Sequence, residues 1–135
     1  MRTFPIRIGT PDGLLFEGDV VRVVCRGITG DLAILAGHCN YCTALGMGEA
    51  HVVMEDGTTR EAACIGGMLS VQNGQVSLVP TTFEWAESID TARAQLSQTR
   101  AEKVLSSRDA SSAEIQLAEA RLRRALVRKS VASYK

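Results

Sequence analysis

Aromatic residues are scarce: Phe, Trp and Tyr supply 4% of 135 residues, and there is one Trp. So few rings make no platform for stacking bases, and residues 1–88 carry no basic cluster, so no nucleic-acid partner is expected. Histidine is scarcer still, with two copies. Without a Ser/His/Asp set or paired carboxylates at an evident cleft, the chain is not expected to be an enzyme. No run of about 18 apolar residues occurs, so direct membrane insertion is not expected. The opening MRTFPIRIGTPDG has neither a long apolar core nor a small-residue cleavage site, so a secretory signal is not expected and the chain is expected to stay in the cytosol.

Net charge is also lacking, at zero, but the balance hides an asymmetry. Residues 1–88 carry five Lys and Arg against ten Asp and Glu, and residues 89–135 carry ten against five. A basic half beside an acidic half is compatible with self-complementarity, with polyphosphate binding or with an acidic partner. Cysteine is limited to Cys25, Cys39, Cys42 and Cys64. Cys39-Asn40-Tyr41-Cys42, preceded by His38, has the spacing of half a zinc site or a redox pair. No second pair follows and no helix opens there, so the plainer expectation is four small, reduced core fillers.

What is present is a balance of 45% hydrophobic and 22% charged residues, that of a folded chain. Up to residue 84 the chain reads as β. Phe4, Ile6 and Ile8 alternate with Arg7, and Pro5 marks a strand start or a sheet edge. Strands are predicted over 14–18, 19–26 and 31–35, with a further short one over 42–45. The Asp56-Gly57 and Asn73-Gly74 pairs predict two tight hairpins. Short strands with turns every few residues predict a flattened β-sandwich of about ten strands.

Residues 81–87 read as a linker, and Ser88–Lys103 is the hinge of the sequence. A helix is predicted from Asp90 to Ser106, with Ser88 as its cap. Ser111-Ser112-Ala113-Glu114 is a capping box that opens a second helix running to about Ser133. The two helices make an antiparallel hairpin, giving a division into 1–84 and 85–135. The predicted seam joins Ile89, Ala92, Leu96 and Val104 to Ile115, Ala118, Leu122, Ala125 and Leu126. So much alanine buries little area at about 25 cal/mol per Å², which fits either a detachable element or a thin, permanently docked one.

Three motifs carry a resemblance that covers the whole chain in one order. Gly30-Asp31-Leu32-Ala33-Ile34-Leu35-Ala36-Gly37-His38, Gly66-Gly67-Met68-Leu69-Ser70-Val71 and Ile89-Asp90-x-x-Arg93-Ala94 resemble signatures of the bacterial F-type ATP synthase epsilon subunit. Ala33, Ala36, Ile65 and the Cys39/Cys42 pair depart from the usual pattern. The resemblance implies a non-catalytic rotor-stalk subunit that couples proton or sodium flow to rotation. It implies a sandwich that binds the gamma subunit and the c-subunit ring, with Asp31 and His38 in the facing loops, and His38 reads equally as a hydrogen-bonding loop histidine. It implies a hairpin that lies folded or extends into the alpha/beta head and inhibits hydrolysis. The location implied is peripheral, on the cytoplasmic face of the cell membrane.

The resemblance also implies ATP as a regulatory ligand of the folded hairpin, with no required cofactor and no metal. Residue by residue, the matches are Glu84, Ile89 and Asp90 at adenine, Ala94 for room, and Arg93, Arg100, Arg124 and Arg128 on the phosphates. Arg121 and Arg123 lie close enough to leave the register on the second helix open. Converging guanidinium groups repel one another unless an anion fills the gap. The plainer reading is a solvated face, with Asp90 and Arg93 as an i,i+3 ion pair. No P-loop is present, so the site would sense ATP rather than hydrolyse it. A stand-alone ATP-sensing module is the alternative.

Overall fold

The computed structural model describes residues 2–134 and divides into two compact units, Met1–Trp85 and Ala86–Lys135. The first contains nine strands: β1 (Phe4–Thr10), β2 (Gly13–Gly27), β3 (Gly30–Leu35), β4 (Tyr41–Ala44), β5 (Met47–Met54), β6 (Thr59–Ile65), β7 (Met68–Gln72), β8 (Gln75–Val79) and β9 (Thr82–Trp85). They hydrogen-bond in the order β4-β7-β8-β1-β2-β5-β6-β9, with β3 on β2. All pairings are antiparallel except β1 with β8.

The long β2 organises the sandwich. Its first half pairs with β1, from Thr10↔Gly13 to Phe4↔Val20, and its second half pairs with β3, from Arg22↔Leu35 to Gly27↔Gly30. The two strands expected over 14–18 and 19–26 are therefore one. Gly18 and Asp19 do not break it, because they stay paired with Ile6 and Pro5. Gly18 is also where the Phe16 ring lies against the backbone, 3.3 Å from where a Cβ would sit. Pro5 sits at the strand start, before the pairing with β8 begins at Ile6.

Alternation does the rest. Phe4, Ile6, Ile8, Val20, Val23, Ile34, Val52, Leu69 and Leu78 point inward and are buried. Asn73 and Gly74 both take positive φ between the paired Gln72 and Gln75, as the tight hairpin requires. The Asp56-Gly57 turn is closed by Met54 N–H to Thr58 O at 2.7 Å.

Residues 81–87 are not a linker. Thr82–Trp85 is β9, an edge strand in register with β6 from Ile65↔Thr82 to Ala62↔Trp85. Phe83 and Trp85 point inward and meet edge to face at 4.9 Å, and the Arg60 guanidinium lies 3.8 Å over the Trp85 ring. The alternation Thr-Phe-Glu-Trp held that signal.

The second unit opens with one 3-10 turn, Ala86–Ser88, followed by α1 (Thr91–Leu105) and α2 (Ser112–Ala132). The cap of α1 is Asp90, not Ser88. Ser88 is spent in the 3-10 turn, and Asp90 takes the extended conformation whose carboxylate accepts from Arg93 N–H at 3.1 Å. The expected capping box is present on α2: Ser111 Oγ accepts from Glu114 N–H at 3.2 Å and donates to Glu114 Oε1 at 3.1 Å. The seam matches the expected one in part: Ile89, Ala118 and Ala125 are buried and Val104, Ile115 and Leu122 half-buried. Ala92 and Leu96 are exposed, whereas Ala94, Ala101, Ala118, Ala125 and Ala132 are buried. These alanines recur at seven-residue spacing, so small side chains let the helices close while larger apolar groups lie outside.

Candidate functional site

The hairpin has two unlike sides. On one, Thr91, Ala92 and Gln95 of α1 meet Lys129, Ala132 and Ser133 of α2, and Lys129 Nζ donates to Gln98 Oε1 at 2.7 Å. On the other, a groove of about 340 Å³ is lined by Ser97, Arg100, Ala101 and Val104 of α1 and by Glu114, Leu117, Ala118 and Arg121 of α2. Arg93 lies seven residues before Arg100 and Arg128 seven after Arg121, hence nearly the same faces. Arg124 is an i,i+3 neighbour of Arg121 and an i,i+4 neighbour of Arg128. Five arginines thus share one side of the hairpin.

Arg121 joins Arg124 and Arg128 on the furrow side, while Arg123 turns away, lining a separate surface hollow with Gln116, Glu119, Ala120 and Leu122. The sequence signal was the heptad Arg121–Arg128, which matches Arg93–Arg100. The electrostatics are one-sided. Two ion pairs, Arg7–Glu17 and Arg26–Asp31, lie in the first unit, where His51 also stands 3.1 Å from Glu49 and 4.0 Å from Glu61. Arg93, Arg100, Arg121 and Arg124 have no carboxylate partner among the described residues, and the half-buried Arg124 has its Nε without a hydrogen bond. An orphaned donor beside unneutralised guanidinium groups is the chemistry of an anion site.

The remaining expected residues sit as follows. Ile89 and Ala94 are buried and Asp90 is exposed. Asp90 Oδ1 is engaged as the cap, so the Asp90–Arg93 relation is a carboxylate-to-backbone bond and not a side-chain ion pair. Glu84 lies half-buried on β9, on the sheet face it shares with Glu49 across the intervening Ala63. Asp31 is exposed at the turn end of β3 and pairs with Arg26 at 3.6 Å. His38 lies beyond the other end of β3, its Nδ1–H donating to the Cys39 carbonyl at 2.7 Å and its ring edge-on to Tyr41 at 5.8 Å. Four residue steps of strand, about 13 Å, separate Asp31 from Leu35 alone, so Asp31 and His38 lie toward opposite ends of β3.

The cysteines divide. Cys25 and Cys64 are core residues; burial pushes their thiols up, to about 11 and about 12, with Asp31 adding to the first and Cys25 to the second. Cys39 and Cys42 are exposed, not core fillers. The chain runs from His38 through Asn40 into β4 without a turn, and Asn40 is held by the Asn73 N–H at 2.9 Å. Among the described residues no group of three His, Cys, Asp or Glu is placed to hold a metal ion.

Residues 3–86 match the family model for the ATP synthase delta/epsilon chain, beta-sandwich domain, and residues 87–133 that for the delta/epsilon chain, long alpha-helix domain. The chain is 37% identical to the ATP synthase epsilon chain of Ruminococcus albus over 136 aligned positions, covering 100% of both chains. It is 39% identical to the epsilon chain of Bacillus velezensis, covering 98% of each. To the sodium ion specific epsilon chain of Acetobacterium woodii it is 36% identical over 75% of this chain and 76% of that one. In fold it resembles a chain of the Euglena gracilis mitochondrial ATP synthase, with a TM-score of 0.83 at 21% identity over 98% of this chain and 82% of that one.

Proposed function

This chain belongs to the epsilon-chain family of F-type ATP synthases, and on that footing we propose that it is a non-catalytic subunit of the rotor stalk. It couples proton or sodium translocation to rotary ATP synthesis, and its hairpin restrains ATP hydrolysis. It binds the gamma subunit and the c ring through the sandwich, and the alpha/beta head when the hairpin extends. It sits peripherally, on the cytoplasmic face, as part of that complex; no helix among the described residues is long and apolar enough to cross a membrane. The separation of Asp31 from His38 supports two contacts, one to each stalk partner. Ile28, 67% exposed at the tip of the β2–β3 turn, adds an apolar contact beside Asp31.

The folded hairpin binds ATP. The observation that carries this reading is a groove lined by Arg100 and Arg121, with Arg93 and Arg124 on the same side, none of these four having a carboxylate partner among the described residues, and with the Arg124 Nε making no hydrogen bond. Arg93, Arg100, Arg124 and Arg128 hold phosphate oxygens, the Ile89 backbone and the free Asp90 oxygen read the adenine edge, and Ala94 leaves room beside them. A ligand that binds only the folded hairpin stabilises it by RT ln(1 + [L]/Kd), about 2.7 kcal/mol at a hundredfold excess over Kd, enough to decide the state of a seam made of alanine.

Two experiments test the reading. Isothermal titration of the full chain with ATP is expected to give one site that Arg124→Ala weakens by about tenfold or more and Arg108→Ala leaves unchanged. Equal losses in the two variants would remove the site. Adding the chain to an ATP synthase complex that lacks it is expected to restore coupling and to inhibit hydrolysis, with inhibition relieved as ATP rises. ATP binding without association with the complex would favour a stand-alone ATP-sensing module.

A further inference from the structure

The arginine furrow is longer than a nucleoside triphosphate needs. Arg93 and Arg100 are seven residues apart on α1, as are Arg121 and Arg128 on α2, so each pair spans about 10 Å of helix axis. The pairs run antiparallel along one side of the hairpin, with Arg124 between the α2 pair. A triphosphate has two P–O–P bridges and is tethered to its base. With the base at Ile89 and Asp90, its phosphates run from Arg93 and Arg128 toward Arg124 and Arg100 and end one helical turn short of Arg121. Arg121 stands toward the loop end of the groove, in company with Arg100. Glu114 is the one carboxylate lining the groove, and it is engaged by the Ser111 hydroxyl. The groove therefore carries excess positive charge that a single ATP leaves uncovered.

We propose that this furrow binds linear inorganic polyphosphate, and that Arg121 takes the phosphates that ATP does not reach. Polyphosphate is an unbranched chain of like tetrahedral anions. It has no base to fix its register, so it slides until every guanidinium has an oxygen pair. Arginine suits this, since its planar fork stays charged and grips two oxygens at once. The alanine seam and the Ser97, Ala101 and Val104 floor leave the phosphate chain free of steric conflict. The proposal takes the position of ATP in the furrow from the nucleotide reading above, but polyphosphate binding itself does not depend on it.

The test is titration of the full chain, at one fixed salt concentration, with tripolyphosphate, with medium-chain polyphosphate and with ATP, followed by displacement of ATP by the medium chain. The medium chain is expected to bind about tenfold tighter per molecule than tripolyphosphate and to displace ATP. Arg121→Ala should abolish most of that gain and leave ATP affinity within about twofold, with Arg121→Lys recovering part of it. Arg121 is exposed, so its replacement does not threaten the fold, and helical circular dichroism checks this. Arg123→Ala, on the other face, should move neither ligand. Equal affinity for the short and medium chains overturns the proposal, as does a loss in Arg123→Ala matching that in Arg121→Ala, which would mark diffuse charge attraction. ATP binding without polyphosphate binding overturns this proposal alone. Polyphosphate binding without ATP binding overturns the nucleotide reading alone. The absence of both overturns both.

Discussion

The two units solve the problem of stability in opposite ways. The sandwich buries branched and aromatic side chains, Ile6, Ile8, Leu69, Leu78, Phe83 and Trp85 among them, and pairs Arg7 with Glu17 and Arg26 with Asp31. The hairpin closes on alanines, keeps Leu96, Leu117 and Leu126 about half exposed, and leaves four arginines without a carboxylate. Both units expose large apolar side chains, Leu14, Ile28 and Met68 on the sandwich among them, so the difference between them lies in core packing and in charge. The second is left with charge to neutralise, so its state depends on what it meets. An element that responds to a ligand is drawn from the less stable part of a fold.

The largest expected effect breaks the sandwich. Leu78→Ala removes a fully buried side chain and should cost about 2–5 kcal/mol in denaturant unfolding. The matching change in the hairpin, Leu96→Ala, should stay within about 0.5 kcal/mol. If both cost the same, the contrast in packing does not exist. Next comes Ala101→Leu, which forces a branched side chain into the alanine seam and should cost about 1–3 kcal/mol. That loss should appear as early melting of helical signal while the Trp85 fluorescence transition stays in place.

A smaller effect sharpens the reading of the motif at the mouth of α1. Asp90→Ala should lose the cap, about 1 kcal/mol, whereas Asp90→Asn keeps it. If Asp90 also reads adenine through its free oxygen, Asp90→Asn should still weaken ATP binding while thermal melting barely moves. Unchanged affinity in that variant would reduce Asp90 to a cap.

The smallest effect is one of pH and belongs to the sandwich. The Cys25 and Cys64 thiols are raised by burial to about 11 and about 12 from an ordinary value of 9.0. The unfolded chain therefore ionises them first. Their contribution to stability is complete below pH 9 and declines as pH rises toward 11 and 12, because above pH 9 the native state binds more protons. Unfolding between pH 8 and 11 should show this decline in the native chain and a shallower one in Cys64→Ala, compared slope against slope. Alkylation at pH 8 should reach Cys39 and Cys42 and spare the buried pair until denaturant is added.

The sandwich was largely legible in the sequence because alternation and Asn-Gly or Asp-Gly turns are local signals. It failed where tertiary pairing overrode a local break. Gly18-Asp19 reads as an interruption, yet β1 pairs across it; Thr82–Trp85 reads as a linker, yet β6 offers it an edge. The helices and the capping box were legible for the same local reason. The seam was legible in part: Ile89, Ala118 and Ala125 are buried as expected, whereas Ala94, Ala101 and Ala132 were missed and Leu96 and Leu126 lie outside, because close helix packing favours the smaller side chain. The furrow was half legible. Arg93, Arg100, Arg124 and Arg128 came from motif resemblance, but choosing Arg121 over Arg123 required knowing which side of α2 faces the groove. The exposure of Cys39 and Cys42 could not be read from type alone, because free cysteine is usually buried.

The most direct measurement is amide hydrogen exchange of the full chain with and without saturating ATP. Slower exchange confined to residues 91–132, with the sandwich strands unchanged, is the result expected of a hairpin whose folded state is held by an anion in the arginine furrow. Exchange in α1 and α2 that is the same with and without ATP, or slowed equally in β1–β9, would contradict it.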